Sequence, residues 1–461
     1  MTRAVAAEGA GEVIALMDAT PSRIKARAAG RPTRTVDVHR PRSFDELVSV
    51  VKALAAARRS YTVVGARSNV VGALDTDADV ALSTELLTGV LALDPVSQQV
   101  RVGAGMLGGA LESRLAEQGF TLGQYPQSLH LSTVGGWVGT RACGSSSAMY
   151  GGVERSIIGA RIVVPSGEVL EFGPRVRPAG GLDGLAAFVG SEGSLGVVGE
   201  VTLRVYRRLP ERVVCFSFAD LGALITAQRE LVQGGYPVAM LRGHNLAESA
   251  HILGDRSVGG CLLIATTVGP ASLVDAQCAA IVERLRELDG VRLPDDAASR
   301  WFEERYAVDS MMEDRNRAVG RAFDTVEASV PWSSAPACAR ELDETFSGSA
   351  DRYFLHLSHA YETGVCFYSL LWLSDEAGDS AVLARLRDAW DLVLRSVERH
   401  GGTVGHHHGI GAVRADWYRG SDDARVHRSL KDAWDPDGLL RARLLAGEGR
   451  SAHPDLGVQL G

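Results

Sequence analysis

PQSLHLSTVGGWVGTRACGSSSAMYGG, Pro126 to Gly152, is the stretch on which the reading of this chain turns. Arg141 is its only residue among Asp, Glu, Lys and Arg, and glycines and small hydroxyl side chains crowd the rest. The stretch is too polar to be a core strand. Small side chains let a backbone lie flush against a flat, polar ligand, and free N–H groups can then point at carbonyl or phosphate oxygens. The pattern predicts a ligand-facing segment.

Outward from it, the sequence organises itself around that segment. In PRSFDELVSVVKALAAARRSYTVVGARSNVVGAL, Ser43 with Glu46 three residues on predicts a capping box, and Val48, Val51 and Leu54 continue at helical spacing. Tyr61 to Val64 is a short β-rich run that ends in the glycine turn Gly65 to Gly72. Helix, strand and glycine loop in that order suit a phosphate cradle. Downstream, SIIGARIVVPSGEVLEF reads as two strands about Pro165–Gly167, and a further strand is expected at Val197–Val205. Residues from about 11 to 30 read as a helix and approach segment.

From about residue 211 the pattern changes. ADLGALITAQRELVQGG, SLVDAQCAAIVERLREL and SAVLARLRDAWDLVLRSVERHGG read as helices, and RVVCFSF, GGCLLIATTVG, FDTVEASVPW and GVCFYSLLWL as strands. This is an α+β unit built on an antiparallel sheet flanked by helices. A helical piece, SDDARVHRSLKDAWDPDGLL, follows. The expected division is 1–37 as helix and approach, 38–210 as a first domain of two α/β subdomains, 211–410 as a cap, and 411–461 as a helical segment returning to the first domain.

Composition narrows the function classes. The chain has 461 residues, 46% hydrophobic and 23% charged, with net charge −8 and no long Lys/Arg block, which argues against a nucleic-acid binder. Six cysteines form no CxxC pair, so zinc and redox motifs are excluded and a reduced, cytoplasmic setting is expected. The first residues lack the long apolar core of a signal peptide, and no apolar run is long enough to span a membrane.

The ordered motifs VVGARSNVVGAL, STVGGWVGTRACG and FVGSEGSLGVVGEVTLRV resemble the pyrophosphate loop, the second flavin loop and the closing strand of the vanillyl-alcohol oxidase / p-cresol methylhydroxylase flavoprotein superfamily. Within it, PQSLHLSTVGGWVGTRACGSSSAMYGGVE, SHAYETGVCFYSLL and HHHGIGAVRADW most resemble the alkyldihydroxyacetonephosphate synthase family. The resemblance implies a PCMH-type FAD-binding domain, a cap and FAD. No histidine lies between Gly65 and Gly72, where some relatives attach flavin covalently, so non-covalent FAD is expected. Gly65, Ala66, Arg67, Ser68, Asn69, Val70 and Gly72 would hold the pyrophosphate through backbone N–H groups. Pro126, Ser128, Ser132, Thr133, Gly135, Gly136, Thr140, Cys143 and Gly144 would face the flavin and its ribityl chain, with Glu192, Gly193, Gly196, Val197 and Val198.

By the same resemblance Tyr361 is the catalytic proton-transfer group and Arg242 stands near the flavin and the substrate. Of the run His406, His407, His408, alternate residues point opposite ways, so at most two share a pocket; the resemblance sends His407 and His408 into it. His359 and His406 stand nearby on the substrate side. Three such imidazoles could hold a metal, but the acidic partner of metal-using relatives is missing and no metal is expected. Counting back fourteen residues from Glu327, where the family carries an anion-gripping arginine, lands on Glu313; Arg315, Arg317 or Arg321 could substitute if the alignment slips. A carboxylate there would repel an anionic substrate. PDGLLRARLLAG stands where relatives favour an asparagine–proline turn.

Three functions compete. The favoured one is an FAD-dependent oxidoreductase on the synthase-like scaffold, acting on a small polar alcohol, amine or hydroxy acid. The second is a true alkyldihydroxyacetonephosphate synthase, without net redox change. The third is a flavin-binding module without catalysis. The partner expected is a small molecule, with a homodimer as the superfamily's habit.

Overall fold

The computed structural model describes residues 12–19, 22–28, 30, 34–174, 176, 179–254, 259–307 and 316–445. Two larger sheets, with the two-stranded pair Phe120–Thr121 and Tyr206–Arg207, form the first half. A four-stranded sheet runs in the order Val13–Ala15, Thr35–His39, Val80–Ser83, Tyr61–Val64, the last three parallel. An antiparallel sheet of five follows: Val90–Asp94, Gln99–Gly103, Val197–Arg204, Ile157–Val163, Val169–Phe172. The Phe44–Ala56 helix packs Phe44, Leu47, Val51 and Leu54 into one core with Tyr61, Leu82, Val163 and Val197, which joins the two sheets. Its cap is close to the expected box: Ser43 Oγ accepts from Glu46 N at 3.2 Å, while the Glu46 carboxylate reaches Arg42 N at 2.8 Å rather than the cap itself.

The amino-terminal expectation is corrected. Val13–Ala15 is an edge strand, and among the described residues of this stretch only Ser22–Ala28 is helical. Ile14 and Leu16 bury against Val36, Val38 and Leu74, and that apolar alternation outweighs helix formation. The Pro126–Gly152 stretch carries short helices at Val134–Thr140 and Ser147–Tyr150 where a ligand-facing loop was expected. Thr133 caps the first, its hydroxyl accepting from Gly136 N at 3.3 Å.

The second half is a seven-stranded antiparallel sheet ordered Val291–Arg292, Glu211–Phe218, Cys261–Val268, Val238–His244, Arg352–Ala360, Gly364–Ser374, Arg321–Pro331. The helices Leu221–Gln233, Val274–Glu287, Ala335–Phe346 and Asp379–Arg399 share its main core. The Asp422–Trp434 helix leads the chain back to the first sheet, where Tyr61 N donates to Leu439 O at 2.8 Å and Arg441 N to Tyr61 O at 2.7 Å.

Register in the large sheet places the chemistry. His244 opposes His356, His356 opposes Tyr368, and Tyr368 opposes Glu327, a row across four neighbouring strands. Residues directly opposite one another share a face of the sheet, and so do residues two apart along a strand. Arg242, Thr325, Ser358 and Cys366 therefore join the row on one polar face, with apolar Leu241, Val326, Leu357 and Phe367 on the other, in the sheet's helix-covered core.

Candidate active site

A deep cavity lies between this polar face and the loops of the first half. One end is lined by Ala66, Arg67, Ser68, Asn69 and Val70. Among the described residues, none of these five backbone N–H groups meets a protein acceptor. Asn69 shapes the turn: its side-chain oxygen accepts from Val71 N at 2.7 Å, and its amide donates to His408 O at 2.8 Å. The result is a nest of free donors, which fits a pyrophosphate. It is a loop in its own right rather than a helix terminus.

Gly65, Pro126, Ser128, Ser132, Thr133, Gly135, Gly136, Thr140 and Cys143 line the middle of the cavity, as do Glu192, Gly193, Gly196 and Val198. Gly72, Gly144 and Val197 do not. A Cβ on Gly144 would sit 2.1 Å from Tyr125 N, so that glycine serves a backbone crossing behind the wall. The Cys143 thiol is pushed up to about 12 by burial, as befits a packed thiol, and lies 3.5 Å from the Tyr361 hydroxyl. The Glu192 carboxylate is taken up by backbone donors: it accepts from Ile410 N and, at 3.0 Å, Gly411 N, and burial raises it to about 7. Arg67, Glu192 and His359 all line the cavity with φ between +51° and +58°, strain that clusters at functional sites.

The histidine run is held by its backbone. Glu327, with no exposed side-chain surface, accepts from His406 N at 2.6 Å, His407 N at 3.4 Å and His408 N at 2.9 Å. Arg414, equally buried, stands 3.2 Å from the Glu327 carboxylate and donates to the carbonyls of Gly409 at 2.7 Å and Glu327 at 2.8 Å. Held so, His407 and His408 line the cavity and His406 does not. His406 Nε2 meets the Tyr361 hydroxyl at 2.8 Å and its Nδ1 meets His407 Nδ1 at 2.8 Å. Burial pushes His406 down to about 4 and His408 to about 3, and holds His407 and His359 well below the usual range; all four imidazoles are neutral near pH 7.

Tyr361 is half-buried in the turn between two strands and is not among the cavity-lining residues. Tyr125 and Tyr306 line the cavity elsewhere; on the sheet face the phenol that opens onto it is Tyr368. Its hydroxyl lies 3.4 Å from Thr325 Oγ1 and 3.3 Å from His408 Nε2, and burial holds its proton far above the ordinary range. Arg242 is 4% exposed, lines the cavity and lies 5.0 Å from the Trp301 ring centre. His359 also lines it, its Nδ1 at 2.8 Å from Ser147 Oγ. Glu313 and Arg315 lie outside the described residues.

Sequence reasoning passed over Tyr368, His356 and Glu327 as site residues, and Trp301, Arg305 and Tyr306, which line the cavity from the cap. The signal for the sheet residues was present: R-G-H, H-L-S, T-V-E and C-F-Y are polar–apolar–polar triplets within strands otherwise apolar. Among the described residues, His359–His406–His407, His244–Glu248–His356 and Glu327–Cys366–His407 bring potential metal ligands together.

The fold and cavity define an FAD flavoprotein. The chain belongs to the FAD-linked oxidases: residues 210–443 match that family's C-terminal domain, and residues 37–173 match the FAD binding domain. It is 26% identical over 452 residues to alkyldihydroxyacetonephosphate synthase of Dictyostelium discoideum, spanning 88% of this chain and 72% of that protein. It is 27% identical over 394 residues to the FAD-linked oxidoreductase YgcU of Escherichia coli (strain K12), spanning 80% of each. A solved alkyldihydroxyacetonephosphate synthase shares the fold, with a TM-score of 0.75 at 22% identity over 89% of this chain and 76% of that one. The cofactor is FAD, and the free N–H groups of residues 66–70 and the small-residue wall fit it.

Proposed function

We propose that the protein is an oxidoreductase with non-covalent FAD that oxidises a small hydroxy acid, the anionic member of the alcohol, amine and hydroxy-acid classes. The observation that carries this reading is the charge at the cap end of the cavity. Arg242 and Arg305 both line it, 5.0 and 5.7 Å from the Trp301 ring centre, and each has a buried Nε without a hydrogen-bond partner. Among the described residues the only lining carboxylate, Glu192, is occupied by backbone donors; Glu313, which would repel an anion, lies outside them. Arg242 shares its charge with Glu248, 3.9 Å away, and Arg305 adds a second guanidinium; facing neutral imidazoles, the two suit a carboxylate.

Bound in the cradle, the flavin supplies a two-electron acceptor. Arg242 and Arg305 would hold the substrate carboxylate, and the protonated Tyr368 would donate a hydrogen bond to the substrate oxygen. Residues 38–210 would form the FAD domain and 211–410 the cap, with the chain from 411 returning to the FAD domain. All six cysteines are free, which supports a reducing, cytoplasmic setting. Among the described residues no helix is long and apolar enough to cross a membrane.

The similarity to synthases supports a second reading, acyl-dihydroxyacetonephosphate as substrate without net redox. One experiment separates the readings. Purified yellow protein is mixed anaerobically with a panel of 2-hydroxy acids, neutral alcohols and amines, and separately with acyl-dihydroxyacetonephosphate. Bleaching by a hydroxy acid is expected. Fatty-acid release from the acyl ester without bleaching by the panel would favour the synthase, and bleaching only by neutral alcohols would refute the anion reading. Bound flavin with no response to any compound would leave a binding module.

A further inference from the structure

We propose that His356 is a catalytic proton acceptor of this cavity and that the buried Glu248 is its positioning residue. The inference rests on the oxidoreductase reading above and assigns the base that reading needs. His356 is 1% exposed and lines the cavity. Its Nδ1 lies 3.0 and 3.2 Å from the two oxygens of Glu248. A carboxylate there only accepts, so Nδ1 carries the hydrogen and Nε2 keeps a bare lone pair. Glu248 is itself fixed: it lies in the first turn of the Leu246–Leu253 helix, where its N–H donates to the Asn245 cap at 3.0 Å.

The other lining imidazoles lack this support. His359 Nδ1 faces Ser147 Oγ, His407 Nδ1 faces His406, and His408 Nδ1 is 3.7 Å from Glu327 without a hydrogen bond. His356 also stacks on Tyr368, with ring centres 4.7 Å apart and planes 12° from parallel, which sets its ring plane. Burial, then the charge of Arg242, push His356 down to about 3, so it stays unprotonated and available. The groups facing the pair are Arg242, whose Nη2 is 3.9 Å from Glu248 Oε1, and His244, whose Nδ1 is 3.2 Å from the same oxygen, besides Tyr368.

His244, Glu248 and His356 also have the composition of a metal triad. The arginine speaks against it, because Arg242 already balances the carboxylate and a divalent ion would leave two excess charges in a buried site. As a base, His356 acts in one step. The substrate O–H bond breaks and its proton goes to Nε2. The C–H pair would leave with its hydrogen as hydride, for which bound oxidised FAD would supply the two-electron acceptor, and the carbon–oxygen double bond would form. Glu248 would face the imidazolium that results.

The test uses FAD-loaded protein carrying ¹⁵N-histidine. Long-range ¹H–¹⁵N spectra, with His356 assigned from His356→Gln, are expected to show the Nδ1–H tautomer with unprotonated Nε2 across neutral pH, and a tautomer mixture in Glu248→Gln. An Nε2–H tautomer or an imidazolium in the parent protein overturns the proposal, as does stoichiometric zinc that is lost in His244→Ala. With the panel member that bleaches the parent, yellow His356→Gln and His356→Asn are expected to be reduced at least about 100-fold more slowly at unchanged half-saturation; reduction at the parent rate overturns it. Failure of every compound to bleach the parent would sink the oxidoreductase reading and leave the tautomer measurement to decide this one.

Discussion

Replacing Glu327 by Gln tests how the histidine run is held. The carboxylate accepts three successive backbone N–H groups and balances Arg414 in a site where neither side chain has exposed surface. A glutamine keeps one oxygen, but its NH2 then faces the donors of residues 406–408 and the guanidinium. Removing one partner of a buried pair costs about 3–5 kcal/mol. Arg414 keeps its bonds to two carbonyls, so about 3 kcal/mol is expected here. Urea unfolding followed by tryptophan fluorescence measures it, alongside FAD retention on a sizing column, since Asn69 links the pyrophosphate turn to His408 O. Arg414→Met alone should also destabilise, and the double variant should lose less than the sum of the two, because it leaves no unpaired charge. Additive losses, or a Glu327→Gln protein within about 0.5 kcal/mol of the parent, would refute the reasoning.

Tyr368→Phe should slow anaerobic flavin reduction by about 100-fold, while Tyr361→Phe, behind His406, should leave it nearly unchanged; stopped-flow absorbance at the flavin band distinguishes them, and the reverse order would restore Tyr361 to the chemistry. Glu192 is raised by burial to about 7 from 4.5, so the folded state keeps a proton that the unfolded chain has lost, and stability should fall as pH rises from about 4.5 to about 7. Glu192→Gln should remove about 3 kcal/mol of that fall, measured as the urea midpoint of apoprotein against pH, and an unchanged slope counts against the buried carboxylate. Gly65→Ala would bring a Cβ within 2.7 Å of Thr133 Oγ1, the helix-capping hydroxyl, and should weaken FAD binding by about tenfold in titration; unaltered affinity would mean that the two flavin loops are not pressed together.

Local signals made the first half legible. The Ser43 cap, the β-rich Tyr61–Val64 run and the glycine turn after it each act within a few residues, and the structure keeps them in place. Edge pairing at Val13–Ala15 was hidden because its partner, Thr35–His39, lies some twenty residues away and a three-residue run carries little periodicity. The turn Ala66–Val70, which lines the cavity, was readable as a ligand-facing loop for the same reason as the cap. The tyrosine was not: Tyr361 and Tyr368 stand seven residues apart, and only the strand register, with Tyr368 opposite both His356 and Glu327, turns one of them to the cavity. Glu248 was beyond reach, since its meeting with His356 joins a helix to a strand 108 positions away.

The central claim is that the free N–H groups of Ala66–Val70 hold the FAD pyrophosphate while its ring system lies against Tyr368 on the polar sheet face and His408 in the loop beside it. A crystal structure of the FAD-bound protein tests it most directly. The account predicts phosphate oxygens within hydrogen-bond distance of those N–H groups and the isoalloxazine between Cys143 and Tyr368. A pyrophosphate bound elsewhere, or a ring turned away from that sheet, would contradict it.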